Sequence, residues 1–245
     1  MSFFWEKKNT PSIDLSWLHT DMHSHLLPGI DDGSPDIATS VELIKALAAL
    51  GYKKLITTPH VLWEIYPNTS EIITQQCAVV REAIDREGID IKFEAAAEYF
   101  IDENFENLLK KKIPLLPIHY NMVLVEFSMI TAPLDLKEIL FEMQLQNYQP
   151  VIAHPERYIY LKNNKDFFEQ LKDHGCFFQL NLLSLLGHYG NSVQELADYL
   201  IKNNYYNFAG TDAHHIKHIT ALQKLAGSSL FKRLQDSNII KNYIL

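Results

Sequence analysis

Short apolar, β-branched runs alternate with longer amphipathic runs along almost the whole chain, and this alternation limits the possible folds more than any other feature. The runs at 16–22, 54–58, 89–97, 122–127, 150–153, 176–182 and 206–210 read as seven strands. Between them the spacing predicts helices over 69–87, 102–111, 135–146, 165–174 and 192–202. Another helix is expected to open at Ser34 as N-cap with Pro35 at its first position. Ile37, Val41, Ile44, Leu47 and Ala48 fall on one face of it, and Gly51 closes it. The last thirty residues read as helical or irregular. Several strands are apolar on both faces, which belongs to a parallel sheet buried under helices. No Gly/Ser/Pro-rich linker and no internal repeat divides the 245 residues. One domain over 1–245 is therefore expected.

Composition excludes several function classes. With 47% hydrophobic and 21% charged residues the chain is globular rather than disordered. A net charge of −8 argues against nucleic-acid partners and against binding to anionic membranes. Two cysteines, Cys77 and Cys176, cannot build a disulfide framework, which suits a reducing compartment. The longest stretch without Asp, Glu, Lys or Arg, 174–194, holds Gln179, Asn181, His188 and Asn191 and is too polar to cross a bilayer. No apolar segment follows the first charges, so no signal peptide is read and a cytoplasmic location is expected. Oligomeric state is not legible.

The polar residues cluster in one kind of place. The first strand ends in His23-Ser24-His25, the second in Thr58-Pro59-His60 and the third in Glu98. The fourth carries Glu126, the fifth ends in His154, the sixth near Asn181 and the seventh in Asp212-Ala213-His214. An open sheet would leave its outer strand ends far from a common site, whereas a parallel barrel points all of them at one mouth. The expected fold is therefore an α/β, TIM-like barrel. Imidazoles and carboxylates without cysteine suit Zn²⁺, Mn²⁺ or Fe²⁺, and a further acid, Asp31 or Asp32, follows the first strand. So many ligands exceed one ion and suit two or three sharing bridging carboxylates.

Each residue has a plainer reading. A lone His-x-His is often surface, His60 and His154 alone are often core histidines, and Glu126 alone can be a buried ion pair. The joint placement outweighs these. His19, His119, His174 and His188 show no such placement and read as structural or solvent-facing. Arg157, three residues past His154, can hold a phosphate in a bidentate fork, or else pair with Glu156 or another acid.

The stretches Asp21-Met22-His23-Ser24-His25, Gly29-Ile30-Asp31-Asp32-Gly33, Thr58-Pro59-His60, Ala97-Glu98-Tyr99, 124–129, 151–158 and Thr211-Asp212-Ala213-His214 resemble the PHP (polymerase and histidinol phosphatase) superfamily. The run Ile152-Ala153-His154-Pro155-Glu156-Arg157-Tyr158 is similar to its bacterial protein-tyrosine phosphatase branch, linked to capsule and exopolysaccharide regulation. The resemblance implies a distorted (β/α)7 barrel with a trinuclear, often manganese-loaded site, and it makes 1–20 an N-terminal extension of unassigned role. It implies His23, His25, Asp32, His60, Glu98, Glu126, His154, Asp212 and His214 as metal ligands, and Arg157, Asp212 and His214 as catalytic residues. Family members often carry a second phosphate-binding arginine after the last histidine. Here that stretch reads His215-Ile216-Lys217-His218, so Lys217 or His218 is the candidate substitute.

The implied activity is hydrolysis of phosphotyrosine in proteins, with the tyrosine-rich tail of a membrane-bound bacterial tyrosine kinase as substrate. A cysteine-based route requires Cys, five residues and Arg. Residue 83 is Ala and residue 182 is Leu, so metal-activated hydroxide is the expected nucleophile. The alternatives are a small-molecule phosphatase of the histidinol-phosphate type and a non-catalytic metal-binding regulatory module.

Overall fold

The computed structural model describes residues 13–245. Among the described residues, nine short strands, all paired in parallel, alternate with eight α-helices: β1 (Thr20–Asp21), α1 (Ile37–Ala49), β2 (Lys54–Thr57), β3 (His60–Val61), α2 (Ser70–Arg86), β4 (Lys92–Ala95), β5 (Glu98–Phe100), α3 (Glu103–Lys110), β6 (Met122–Glu126), α4 (Leu136–Leu145), β7 (Gln149–Ala153), α5 (Asp166–Asp173), β8 (Phe177–Asn181), α6 (Asn191–Lys202), β9 (Phe208–Gly210), α7 (Ile216–Leu222) and α8 (Ser229–Ser237). The order is β1-β2-β4 in one sheet and β3-β5-β6-β7-β8-β9 in the other.

The two sheets form one curled surface. β2 and β3 are halves of one course broken at Thr58-Pro59, where proline has no N–H for the ladder. β4 and β5 are halves of the next, broken at Ala96-Ala97. Seven courses result, as the sequence predicts. The last returns to the first: Ser24 bridges Ala213 in parallel, His25 N donates to Ala213 O at 2.9 Å, and Asp212 N donates to His23 O at 2.8 Å. The distorted seven-course barrel is thus closed at its C-terminal rim.

Strand alternation sorts the core into two layers. Met22, Ile56, Ala96, Leu124, Val151, Ala153 and Phe208 pack on one face of the strands. Leu55, Val123, Val125, Ile152 and Leu180 pack on the other, with the buried faces of the helices. At the opposite end from the rim, Asn242 is buried across the seam. Its Nδ2 donates to Thr20 O at 2.8 Å and Ala209 O at 2.6 Å, and its Oδ1 accepts from Ala209 N at 2.9 Å.

Several expected boundaries are corrected. The first strand does not begin at Ser16. Ser16–Leu18 is one 3₁₀ turn, and His19, at φ 63°, turns the chain before β1. The described part of the N-terminal segment buries Ile13, Leu15 and Leu18 in the core, and residues 1–12 of the expected extension lie outside the described residues. Asp36, not Ser34, caps α1 by accepting from Thr39 N at 2.8 Å, while the Ser34 hydroxyl donates to Asp36 O. Both residues are good caps, and only the loop path decides between them. Gly51 closes α1 as expected, at φ 103°.

Candidate metal centre

The barrel rim gathers the chemistry-bearing residues because each strand course ends there. His23 and His25 follow β1, His60 opens β3, Glu98 opens β5 and Glu126 ends β6. His154 follows β7, and Asp212 and His214 follow β9. The loop after the first course delivers Asp32. Two of these positions have unusual backbones. His154 sits at φ 33° and Asp212 at φ 51°, the left-handed region that residues with a Cβ rarely adopt. Such strain clusters where structure is held for function.

All nine residues expected as ligands are brought together, in four overlapping groups whose candidate ligand atoms lie within 4.8 Å of one another. The groups are His25, Asp32, His60 and His214; His23, His154 and Asp212; His23, His25 and Glu98; and His60, Glu98 and Glu126. Glu98, fully buried, is central. Its Oε2 lies 3.2 Å from His23 Nε2, 3.0 Å from His60 Nδ1 and 3.5 Å from His25 Nε2, and its Oε1 lies 3.2 Å from His154 Nε2. Yet Glu98 Oε2 and His60 Nδ1 make no hydrogen bond of acceptable geometry. Two buried polar atoms without hydrogen-bond partners, at the centre of an imidazole–carboxylate cluster, fit a cation held between them.

A surrounding layer supports the same fit. His23 Nδ1 donates to Gln179 Oε1 at 2.9 Å, His25 Nδ1 to Asp31 Oδ2 at 2.8 Å and His214 Nδ1 to Asp212 O at 2.9 Å. The Gln179 amide is itself oriented, because its Nε2 donates to Leu180 O and its Oε1 also accepts from His154 N. Each of these rings therefore turns Nε2 into the cluster. Outer partners of this kind fix the tautomer of metal-binding histidines. The two acids after β1 divide the work: Asp31 anchors His25, and the half-exposed Asp32 faces His60 at 3.5 Å and His214 at 3.4 Å. Space is tight on the last strand, where a Cβ on Gly210 would stand 2.6 Å from His23 Cβ.

Burial works against a charged His60 ring, but the Glu98 and Glu126 carboxylates outweigh it and raise the ring to about 12. Burial likewise opposes His23, and Glu98 and Asp212 raise it to about 10. Burial opposes the Glu98 and Asp212 charges too, yet the neighbouring rings, His23 foremost, hold both carboxyls well below the usual range. The hydrogen bond from His214 lowers Asp32 to about 2.

Arg157 lies at the edge of this cluster. Its Nη1 donates to Asp212 Oδ2 at 3.2 Å, and its guanidinium rests 4.5 Å from the centre of the Tyr189 ring. Glu156 points away from it. Fully buried, Glu156 accepts from Asn181 N at 2.9 Å, Ser184 Oγ at 2.8 Å and Tyr206 Oη at 2.9 Å. The pairing of Arg157 with Glu156 is thus overturned, and Asp212 is the acid it meets. Beyond the cluster a cavity of about 540 Å³ opens to solvent, lined by Asp32, His60, Tyr66, Arg157, Tyr189 and His218 among others.

Sequence reasoning missed Gln179, Asn181, Tyr189 and Tyr66. For Gln179 the signal that could have found it was an amide in an otherwise apolar strand. Asn181, noted only as a strand end, donates to Asp212 Oδ2 at 2.8 Å and to Tyr189 Oη at 3.0 Å. Tyr66 stacks on His60 with ring centres 5.7 Å apart, and no pattern marked it. Of the two candidates for a second phosphate contact, Lys217 is exposed and outside the cavity, while His218 lines it. Burial pushes His218 down to about 4, so it is neutral at pH 7 and brings no replacement charge. His188 joins it at the rim, ring centres 5.3 Å apart.

A parallel α/β barrel with a histidine–carboxylate cluster at its C-terminal mouth defines the class: a TIM-like barrel with a candidate metal centre. The family described as capsular polysaccharide synthesis, CpsB/CapC, matches residues 19–241, and the chain belongs to it. The tyrosine-protein phosphatase YwqE of Bacillus subtilis (strain 168) is 29% identical over 197 residues, covering 80% of this chain and 78% of that protein. The tyrosine-protein phosphatase CpsB of Streptococcus pneumoniae is 28% identical over 202 residues, covering 80% and 83%. Among solved structures, those of YwqE from Bacillus subtilis and CpsB from Streptococcus pneumoniae, described as metal-dependent tyrosine phosphatases, include a chain that superposes with a TM-score of 0.76 at 29% identity, covering 89% of this chain and 91% of that one. The histidinol phosphate phosphatase of Lactococcus lactis shares the fold, with a TM-score of 0.52 at 16% identity and coverage of 89% and 94%.

Proposed function

We propose that this chain is a metal-dependent phosphomonoesterase that dephosphorylates phosphotyrosine in proteins. The observation that carries this reading is the convergence of nine ligand-type side chains and Arg157 on one solvent-open cavity. His23, His25, Asp32, His60, Glu98, Glu126, His154, Asp212 and His214 would hold two or three divalent ions, Mn²⁺ by preference over Fe or Zn. Such ions supply a water of lowered pKa and neutralise charge on the phosphoryl group.

The protein's own groups do the rest. Arg157, always charged, grips phosphoryl oxygens, and Asp212 and Tyr189 fix its direction. Asp212 and His214 stand beside the reacting group, and His218 offers a neutral ring at the same wall. A tyrosine phenolate leaves with a pKa of about 10, so it needs little acid assistance. Tyr66, Phe100, Met129 and Tyr189 give the cavity walls that accept an aromatic ring. The substrate we favour is the tyrosine-rich tail of a membrane-bound bacterial tyrosine kinase, in keeping with a family tied to capsular polysaccharide synthesis. Among the described residues no helix is long and apolar enough to cross a membrane. The proposal includes one catalytic domain over the whole chain and a cytoplasmic location, the latter supported by two buried, unpaired cysteines.

The test measures phosphate release from a phosphotyrosyl peptide by Mn²⁺-loaded and chelator-stripped protein, beside Glu126→Gln. The loaded wild type should turn over, chelation should abolish turnover, and Glu126→Gln should lose most metal and most activity while remaining folded. Full activity after complete metal removal, or inhibition by a thiol alkylator that spares metal content, would overturn it.

A further inference from the structure

The mouth does not end at its rim. A second cavity of about 390 Å³ shares Leu62 and Phe100 with it, and a third of about 590 Å³ shares Trp63, Asn104 and Asn107 with the second. Because they share these walls, we read the three as one groove. It runs from the metal cluster over the short hairpin after β3 and along α3, as far as Tyr99, Lys111 and Ile113.

The hairpin that forms its near bank is built rigidly and shows apolar side chains to solvent. Leu62 and Tyr66 pair in antiparallel fashion. Tyr66 stacks on His60, and Asn68 Nδ2 donates to both Ile30 O and His60 O at 2.8 Å. Trp63 N donates to Asp102 Oδ2 at 3.4 Å, tying the tip to the start of α3. At that tip Trp63 is 51% and Ile65 63% exposed. Large exposed apolar side chains beside a site mark a binding surface, and Trp is the residue that most often anchors one. The middle stretch holds three carboxylates, Glu64, Asp102 and Glu103, and no Lys, Arg or His.

We propose that this groove binds the polypeptide on one side of the phosphotyrosine, with a basic residue of the substrate beside Glu64 and Glu103 and an apolar one against Trp63. The inference rests on the phosphatase reading above and adds the class of sequence that the site selects. Continuity with the mouth carries it: a chain whose phosphotyrosine enters the mouth has this trough as the direct way out along the surface. A free amino-acid or sugar phosphate would fill the mouth alone and leave the groove empty.

The experiment compares kcat/KM of the Mn²⁺-loaded full chain on three substrates. They are para-nitrophenyl phosphate, a phosphotyrosyl peptide with flanking Lys and Leu, and the same peptide with Glu in place of Lys. Wild type should prefer the Lys peptide. Trp63→Ala should lower kcat/KM about tenfold on the Lys peptide, with para-nitrophenyl phosphate turnover and metal content unchanged. Glu103→Lys should reverse the preference between the two peptides, an outcome that misfolding cannot mimic. If wild type is active but Trp63→Ala treats peptide and small substrate alike and Glu103→Lys shifts no preference, the groove proposal is overturned and the phosphatase reading stands. If wild type hydrolyses none of the three, the phosphatase reading fails and the groove proposal with it.

Discussion

At the scale of single residues, the cluster sets opposite demands on protons and metal. His23 and His60 have pKa values raised from 6.5 to about 10 and about 12. Such groups contribute stability that is complete below pH 6.5 and fades as pH rises through their folded values. Glu98 and Asp212 are lowered, so their contribution is complete above the ordinary carboxylate range and lost in acid. The stripped protein should therefore melt highest between about pH 4.5 and 6.5. Metal needs the rings deprotonated, so its added stability should grow from pH 6 to 9. Thermal melts with and without Mn²⁺ across that range check both slopes, and a metal increment that does not change with pH contradicts the account. Arg157→Ala should cost about 2–4 kcal/mol in kcat/KM, the range for one charged transition-state contact. Arg157→Lys should recover part of it, and metal content should hold. Unaltered kinetics with a lower melting temperature would make Arg157 structural. Eight of the nine clustered residues were legible in sequence because chemistry-bearing side chains at apolar strand ends need a reason, whereas Asp32, in a loop, was told from Asp31 only by the family resemblance. Gln179 and Tyr189 were not, because an amide and a ring act here only through the neighbours that folding supplies.

Elements show where local pattern stops being informative. The broken courses, β2 with β3 and β4 with β5, read as strands that ended at Pro59 and Ala97. Only the register shows that they resume and carry His60 opposite Glu98. Ser34 and Asp36 are equivalent caps in sequence, and only the path of the loop, which sets the Ser40 hydroxyl 2.9 Å from that of Ser34, separates them. Glu156 belongs to this scale, since it ties the end of β8 and the following 3₁₀ turn to Tyr206. Burial raises its carboxyl above the usual range, against the hydrogen bonds that favour the charge. Glu156→Ala leaves three buried donors unpaired and should destabilise by about 2–4 kcal/mol. Glu156→Gln keeps its carbonyl for Asn181 and Ser184 and should cost less. Urea unfolding of both variants tests this, and equal midpoints would show that the network contributes nothing beyond volume.

On the scale of the whole molecule, the barrel was inferred because ligands from nearly every strand had to share one mouth, and the bridge from Ser24 to Ala213 provides that closure. What the sequence hid was the seam's other end, where Asn242 links β1 to β9 from the far C-terminus. An asparagine in a short irregular tail carries no local signal. Asn242→Ala removes three buried hydrogen bonds and should cost about 2–3 kcal/mol of stability, while kcat of the folded fraction stays as in wild type. A proportionate loss of kcat would instead connect the seam to catalysis. The seam has a further consequence, for the timing of synthesis. The cluster straddles it, with His23 and His25 on one side and Asp212 and His214 on the other, and 190 residues separate Asp21 from its partner Thr211. At ~5–20 residues per second, a ribosome takes roughly 10–40 s to bridge that interval. Until its end the nascent chain lacks Asp212 and His214, two of the nine clustered residues, and has no complete centre. On the proposed reading, hydrolysis therefore begins only once Asp212 and His214 have been made, and fragments that stop short of them are inert toward phosphorylated tails.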